Sequence, residues 1–320
     1  MNYIVFDLEW NQASEGKCKV NKDMPFEIIE IGALKLNEQK CVIGEFNRLI
    51  KPSVYKDMHF ITKTLSHIKK EELFNGKSFE VVVCDFLKWC GEDFVFCTWG
   101  PLDLTELQRN MNYYQFASLS NKPMQFLDIQ KLFSLGYENG KSRRTLEYAI
   151  DYLKIVKDIP FHRAFSDAYY TVKVFQKIAS ELHDHVSFDL FALPSSKRDE
   201  IHIVFSDYSK YISRKFKTKS SALLDREVSS IKCYICKKAL RKKIKWFTPN
   251  GKHYYAVSFC PNHGYLKGKI RIKKTEDNEV FVVKTIKQIE VADVEEILQK
   301  KERSREQRIC RQRAKKNKAQ

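Results

Sequence analysis

Residues 3–8 (YIVFDL) open the chain with apolar side chains on both faces of an extended run, as a central strand requires. Two further β-rich runs follow at 27–36 (EIIEIGALKL) and 41–50 (CVIGEFNRLI), and the polar stretch 37–40 between them predicts a hairpin feeding a meander. Residues 79–90 have helical spacing, and 93–99 read as a fourth strand ended by Gly100 and Pro101. Helices are expected over 104–114 and 143–153, with a short strand at 125–129 between them. A last helix is expected over 164–182, where Ala164, Ala168, Val172, Phe175, Ala179 and Leu182 share one face. Three strands, then strands alternating with helices, predict an α/β domain whose mixed five-stranded sheet carries helices.

The pattern breaks at 192–200 (ALPSSKRDE), where Pro, Ser and charge cluster. With 320 residues the chain has room for about two domains, and an apolar fraction of 43% with 22 Phe and 15 Tyr can fill a sizeable core. The expected organisation is a first domain over 1–192, a basic region over 193–285, and a basic helical or disordered tail over 286–320. No internal repeat is visible.

Charge sharpens that division. The net charge is +17, but residues 1–195 carry −2 and residues 196–320 carry +19. A segment that positive attracts polyanions, with nucleic acid the first candidate; a solvated basic surface is the plainer alternative. The N-terminus has neither the basic flank nor the long apolar run of a signal peptide, and no stretch reaches the ~18 apolar residues of a membrane span. Nine Cys at irregular spacing do not form a disulfide framework. A reducing, cytoplasmic setting without a membrane partner is expected.

Candidate chemistry begins at Asp7 and Glu9. Two apart on a strand, their carboxylates project from one face and repel unless a cation lies between them, and hard oxygen ligands suit Mg²⁺ or Mn²⁺. A solvent-facing acid pair on an edge strand is the alternative, which the apolar run at 3–6 disfavours. Asp103 follows a strand and a turn; by itself it reads as a helix N-cap, although strand ends are also where α/β sheets deliver functional groups. His162 and Asp167 are five residues apart, about 140° on a helix, so they cannot share a helical face. Pro160 disfavours helix before His162. His162 is therefore expected on a loop and Asp167 in the first turns of the helix that follows.

FDLEWN, TWGPLDLTEL and HRAFSDAYYT together resemble the three motifs of the DEDDh family of 3′→5′ exonucleases, over roughly residues 1–185. The resemblance implies a ribonuclease-H-like fold. Trp10 is similar to the branch holding the histone-mRNA 3′ exonuclease and the bacterial sporulation-inhibitor exonucleases, where proofreading subunits more often carry Thr. His67 departs from the pattern, since many members have Gly there. By resemblance, Asp7, Glu9 and Asp167 hold the cation that binds the attacking water, Asp7 and Asp103 serve a second cation, and His162 takes the nucleophile's proton. Two cations of that kind stabilise the attacking and leaving oxygens. The implied product is a nucleoside 5′-monophosphate, and the implied substrate is RNA rather than DNA. Trp10 is expected to seat the terminal nucleotide.

In the basic region, Cys233-x-x-Cys236 and Cys260-x-x-His263 form two knuckles separated by 23 residues. Four soft ligands in two pairs predict one structural zinc in a small zinc-ribbon-like domain, with His253 as the alternative fourth ligand and free cysteines as the alternative altogether. Arg241, Lys245, Trp246, Tyr254 and Tyr255 interleave cations with rings, a composition suited to single-stranded nucleic acid and also to a small domain's core. Residues 207–274 resemble the C-terminal zinc-binding regions attached to some Firmicutes exonucleases. The expected function is a metal-dependent 3′→5′ exonuclease. A non-catalytic adaptor that presents a 3′ end is the alternative, and a polymerase proofreading subunit has only the shared fold behind it.

Overall fold

The computed structural model describes residues 1–14, 19–66 and 68–317, with side chains through 310. His67 and the last three residues of the tail lie outside the described residues. The chain divides into two compact units, Met1–Ala192 and Leu193–Gln320.

In the first unit, β1 (Asn2–Gln12), β2 (Phe26–Leu36) and β3 (Val42–Leu49) form the antiparallel meander. Helices α1 (Phe60–Ser66), α2 (Lys70–Phe74) and α3 (Phe79–Cys90) lead to β4 (Phe94–Thr98), which pairs parallel to β1. Then come α4 (Leu102–Tyr113), β5 (Gln125–Asp128), α5 (Ile129–Tyr137), α6 (Leu146–Tyr152), α7 (Ala164–Lys177) and β6 (Ser187–Phe188). The sheet order is β3-β2-β1-β4-β5-β6, so β1 is a central strand.

Alternation along β1 decides what each face meets. Ile4, Phe6 and Leu8 pack with Phe86 of α3 and Leu104 and Leu107 of α4. Tyr3 and Val5 pack on the other face with Leu132 of α5 and Ala168 and Phe175 of α7. Asp7 and Glu9 continue that second row, which directs them to the α7 side.

Three expectations need correction. The sheet has six strands rather than five, because the two-residue β6 pairs antiparallel with β5. The last helix stops at Lys177 and not near 182: Ile178 is extended, and Lys40 Nζ donates to the carbonyls of Phe175 and Ile178, at 3.2 and 2.7 Å. A cation there satisfies carbonyls that a longer helix would have used internally. Asp103 is not an N-cap, since Pro101 holds that position and Asp103 lies in the first turn of α4.

The second unit is a six-stranded sheet in the order β7-β8-β12-β11-β10-β9. Its strands are β7 (Ile201–Val204), β8 (Tyr208–Ile212), β9 (Lys242–Phe247), β10 (His253–Cys260), β11 (Gly264–Lys274) and β12 (Val280–Ile289), paired antiparallel throughout. Two short helices, α8 (Lys219–Leu224) and α9 (Arg226–Ser229), precede β9. The expected start of the tail at 286 falls inside β12, and the final helix is α10 (Val291–Asn317). That helix is anchored: Ile297 is buried with Ile244, Phe247 and Val257. Among the described residues, no helix is long and apolar enough to cross a membrane.

Candidate active site

Asp7, Glu9 and Asp167 each bring a carboxylate oxygen to within 4.8 Å of the others. Asp7 and Glu9 reach this point because they share a face of β1. Asp167 reaches it because the first turn of α7 presses on β2. Gly32, opposite Asp7 in the β1–β2 register, makes that approach possible: a Cβ there would lie 2.0 Å from the Phe165 backbone nitrogen. Glycine is the one residue that fits such contact.

Asp103 stands outside that set of three, buried beside Asp7. Pairing of β1 with β4 ends at Val5–Cys97, and the Leu8 amide beyond it donates to the Asp103 carboxylate. The acids strain one another. Burial, then the charges of Asp103, Asp167 and Glu9, raise Asp7 well above the usual carboxylate range. Burial and the neighbouring acids push Glu9 up to about 8. Burial raises Asp103 to about 7 and Asp167 to about 6, although amide donors oppose both shifts. Oxygen donors packed this closely, each resisting ionisation, fit a divalent cation as the missing counter-charge.

His162 is exposed on the loop before α7, with a left-handed backbone at φ 66°. Its amide donates to Asp167 Oδ1 at 3.3 Å. The next residue, Arg163, is the N-cap of α7 and forks onto Glu30: Nη2 to Oε1 is 2.7 Å, and Nε lies 3.2 and 3.1 Å from the two oxygens. Glu30 Oε2 also accepts the Ala164 amide at 3.1 Å. Glu30 sits opposite Glu9 in the sheet, so one buried acid ties the His162 loop and the start of α7 to the strand carrying the acid pair. Sequence reading passed over Glu30 and Gly32. The available signal was an acid and a glycine inside an otherwise apolar strand, EIIEIG.

Trp10 is half-buried, with its ring 5.6 Å from that of Phe26. The β1–β2 register shifts between Glu9 and Trp10, where Ile29 is the extra residue on β2.

In the second unit, Cys233, Cys236, Cys260 and His263 bring ligand atoms within 4.8 Å of one another. Cys236 Sγ and Cys260 Sγ are 3.6 Å apart, and His263 Nδ1 lies 3.5 and 3.6 Å from the sulfurs of Cys233 and Cys260. Tetrahedral zinc with ~2.3 Å bonds to sulfur has edges of about 3.8 Å, so these separations suit that ion. His253 is outside the cluster, with Nδ1 3.3 Å from Asn250 Nδ2. Arg241 and Lys245 are exposed, while Trp246, Tyr254 and Tyr255 are half-buried. Lys300 and Lys267 lie 4.5 and 5.7 Å from the Tyr255 ring.

Residues 4–175 match the family model RNase_T, described as exonuclease. No curated protein matches the chain. Among solved structures, a full-length 3′-exonuclease is 17% identical and aligns over 55% of this chain and 80% of its own, with a TM-score of 0.46. The nuclease domain of 3′hExo, a DEDDh family member bound to rAMP, is 15% identical over 55% of this chain and 90% of its own, at 0.47. E. coli exonuclease I in complex with a dA16 oligonucleotide is 13% identical over 84% of this chain and 54% of its own, at 0.45. Membership rests on the match across more than half of the sequence, which spans all three acidic motifs: the chain belongs to the RNase_T exonuclease family.

Proposed function

We propose that the chain removes nucleotides from the 3′ end of single-stranded nucleic acid, RNA in preference to DNA, in a reaction that needs Mg²⁺ or Mn²⁺ and releases nucleoside 5′-monophosphates. The observation that carries this reading is the convergence of Asp7, Glu9 and Asp167 within 4.8 Å, beside buried Asp103. Asp7, Glu9 and Asp167 would hold one cation, and Asp7 with Asp103 a second. When bound, the two cations supply charge stabilisation to the attacking and leaving oxygens.

The chain's own groups do the rest. His162, exposed at the mouth, takes the proton from the attacking water, as imidazole can at neutral pH. The Asp167 carboxylate and the Glu30–Arg163 pair hold the His162 backbone, so the base sits on a loop anchored where it enters α7. Trp10 offers a ring for the terminal base. Cys233, Cys236, Cys260 and His263 would hold a zinc that ties two knuckles of the basic unit together, and Arg241, Lys245, Trp246, Tyr254 and Tyr255 contact the strand. Zinc-bound thiolates suit a reducing compartment, which favours the cytoplasm.

The test is product analysis with wild-type protein and matched single-stranded RNA and DNA. The reading expects nucleoside 5′-monophosphates only when Mg²⁺ or Mn²⁺ is present, and faster release from RNA. Nucleoside 3′-phosphates would overturn the reaction assigned here, and equal or faster DNA degradation would overturn the RNA preference.

A further inference from the structure

A cleft of about 650 Å³ opens in the second unit where α10 runs beside β9. Its floor comes from Trp246, Thr248 and Tyr254, and its wall from Lys301, Arg305 and Arg308. Strand β9 is the sheet's edge, so the cleft lies where the sheet has no further neighbour. Every ionisable side chain lining it is cationic, apart from the Tyr254 phenol.

The wall is built from helical periodicity. Positions 301, 305 and 308 repeat at four and three residues, which stacks them on one face of α10. The acids of the same stretch, Glu302 and Glu306, are exposed and do not line the cleft. The helix is pinned in register: Ser304 Oγ donates to the Thr248 carbonyl at 3.2 Å, and Arg308 Nη2 lies 3.4 Å from the same oxygen. Lys301 and Arg305 pair with no carboxylate among the described residues. No ion pair among the described residues competes with a ligand for these two cations.

The floor is fixed as firmly. Trp246 Nε1 donates to the Ser229 carbonyl at 2.7 Å. Its ring lies on Gly268, where a Cβ would come within 2.7 Å of Cη2. The indole is thus held before any ligand arrives, which lowers the ordering cost of stacking on it. Lys219 Nζ stands 5.4 Å from the Tyr254 ring and donates to the Gly251 carbonyl.

We propose that this cleft is a binding subsite for single-stranded nucleic acid, with a base stacked on Trp246 and the adjoining phosphates on Lys301 and Arg305. Rings beside cations are what a flexible strand needs, because every base has a π face and every linkage a charge. The net +19 of residues 196–320 supplies the complementary charge. The subsite differs from the surface expected from sequence: Arg241, Lys245 and Tyr255 do not line it, and α10, expected as a tail, forms its wall. The proposal rests on reading the substrate as nucleic acid.

The experiment uses the full chain carrying Asp7→Asn, so that the strand is not consumed. Binding of a fluorescein-labelled single strand is followed by anisotropy across a salt series. Lys301→Ala with Arg305→Ala is compared with Lys197→Ala and Arg198→Ala, an exposed pair that removes the same charge. The cleft pair is expected to weaken binding roughly tenfold and to lower the salt slope by about 1.4, the value for two lost phosphate contacts on a single strand. The control pair should change affinity less than about twofold, as general charge effects are shared over the whole unit. Quenching of tryptophan emission by the strand should fall in Trp246→Phe, leaving only the part that comes from Trp10 at the active site. Equal losses in the two pairs, no loss in either, or quenching undiminished in Trp246→Phe would overturn the proposal; a peptide-binding cleft would give the second result. Hydrolysis of the p-nitrophenyl ester of a nucleoside 5′-monophosphate, measured without Asp7→Asn, separates the two readings. The control pair Lys197→Ala with Arg198→Ala should match wild type, and an inert wild type would count against the nuclease reading while the binding comparison still decides the cleft.

Discussion

The Arg163 guanidinium grips the carboxylate of Glu30 across 133 residues of sequence, with Nη2 2.7 Å from Oε1 and the Glu30 side chain fully buried. Arg163 caps α7 immediately after His162, and Glu30 lies opposite Glu9, so the pair fixes the His162 loop relative to the strand that carries Asp7 and Glu9. Removing one partner of a buried pair strands the other charge. Arg163→Ala should therefore destabilise the chain by about 3 kcal/mol, the lower end of the usual range because the Arg163 side chain is 35% exposed. Urea unfolding measures this. A loss under about 0.5 kcal/mol, the scale of ordinary surface substitutions, would mean that the pair does not hold the loop.

Gly32→Ala tests the approach of α7. The new methyl would meet the Phe165 backbone, which cannot swing aside as a side chain end can. Overpacking of this kind costs about 1–3 kcal/mol. The larger expected effect is on cation affinity, because Asp167 must retreat with its helix. Calorimetric titration with Mn²⁺ should show affinity reduced about tenfold or more, on the scale of lost support around metal ligands. Unchanged Mn²⁺ affinity would show that Asp167 is not delivered by this contact.

Much of this site was legible in the sequence. Spacing, with Pro160, put Asp7 and Glu9 on one face, His162 on a loop and Asp167 in the first turns of a helix, because those relations are local. Glu30 and Gly32 were not legible as site residues. Their roles come from strand register, which sets them opposite Glu9 and Asp7, and from the docking of α7, which brings Arg163 and Phe165 from more than 130 residues away. The sixth strand, Ser187–Phe188, is too short to leave a periodic signal. Helix α7 was overextended because Ala179 and Leu182 keep its apolar repeat, while the Lys40 ammonium that ends it lies far away in sequence. The anchoring of α10 was missed since its composition is polar and basic, with one buried apolar residue among those described, Ile297, to hold it.

The acid cluster predicts a pH-dependent response to cations. Glu9 near 8, Asp103 near 7 and Asp167 near 6 exceed their unfolded values, so the folded metal-free chain keeps protons that the unfolded chain releases. The folded state then binds more protons, and metal-free stability falls as pH climbs from about 4 through 8. Cation binding needs the ionised forms and strengthens over the same window. The rise in Tm on adding Mn²⁺ should be small at pH 5.5 and several degrees larger at pH 8.5. A rise that is the same at both values, followed by scanning fluorimetry, would contradict the carboxylate assignment.

One zinc per chain is expected from the Cys233, Cys236, Cys260 and His263 cluster. Cys233→Ser with Cys260→Ser should abolish it in elemental analysis, whereas His253→Ala should leave it unchanged. Zinc content that persists in the double variant would reject the site, and loss on His253→Ala would move the fourth ligand.

The central claim is that the Asp7 cluster and His162 perform metal-dependent trimming from the 3′ end. The most direct measurement is degradation of a 5′-labelled single-stranded RNA by wild type, Asp7→Asn and His162→Ala, each checked for folding by circular dichroism. Wild type should yield a ladder shortening from the 3′ end only when Mg²⁺ or Mn²⁺ is present. Asp7→Asn should yield none, and His162→Ala should be slower by about 10²–10⁴-fold, the usual contribution of a positioned base. Undiminished trimming by both folded variants would contradict the account.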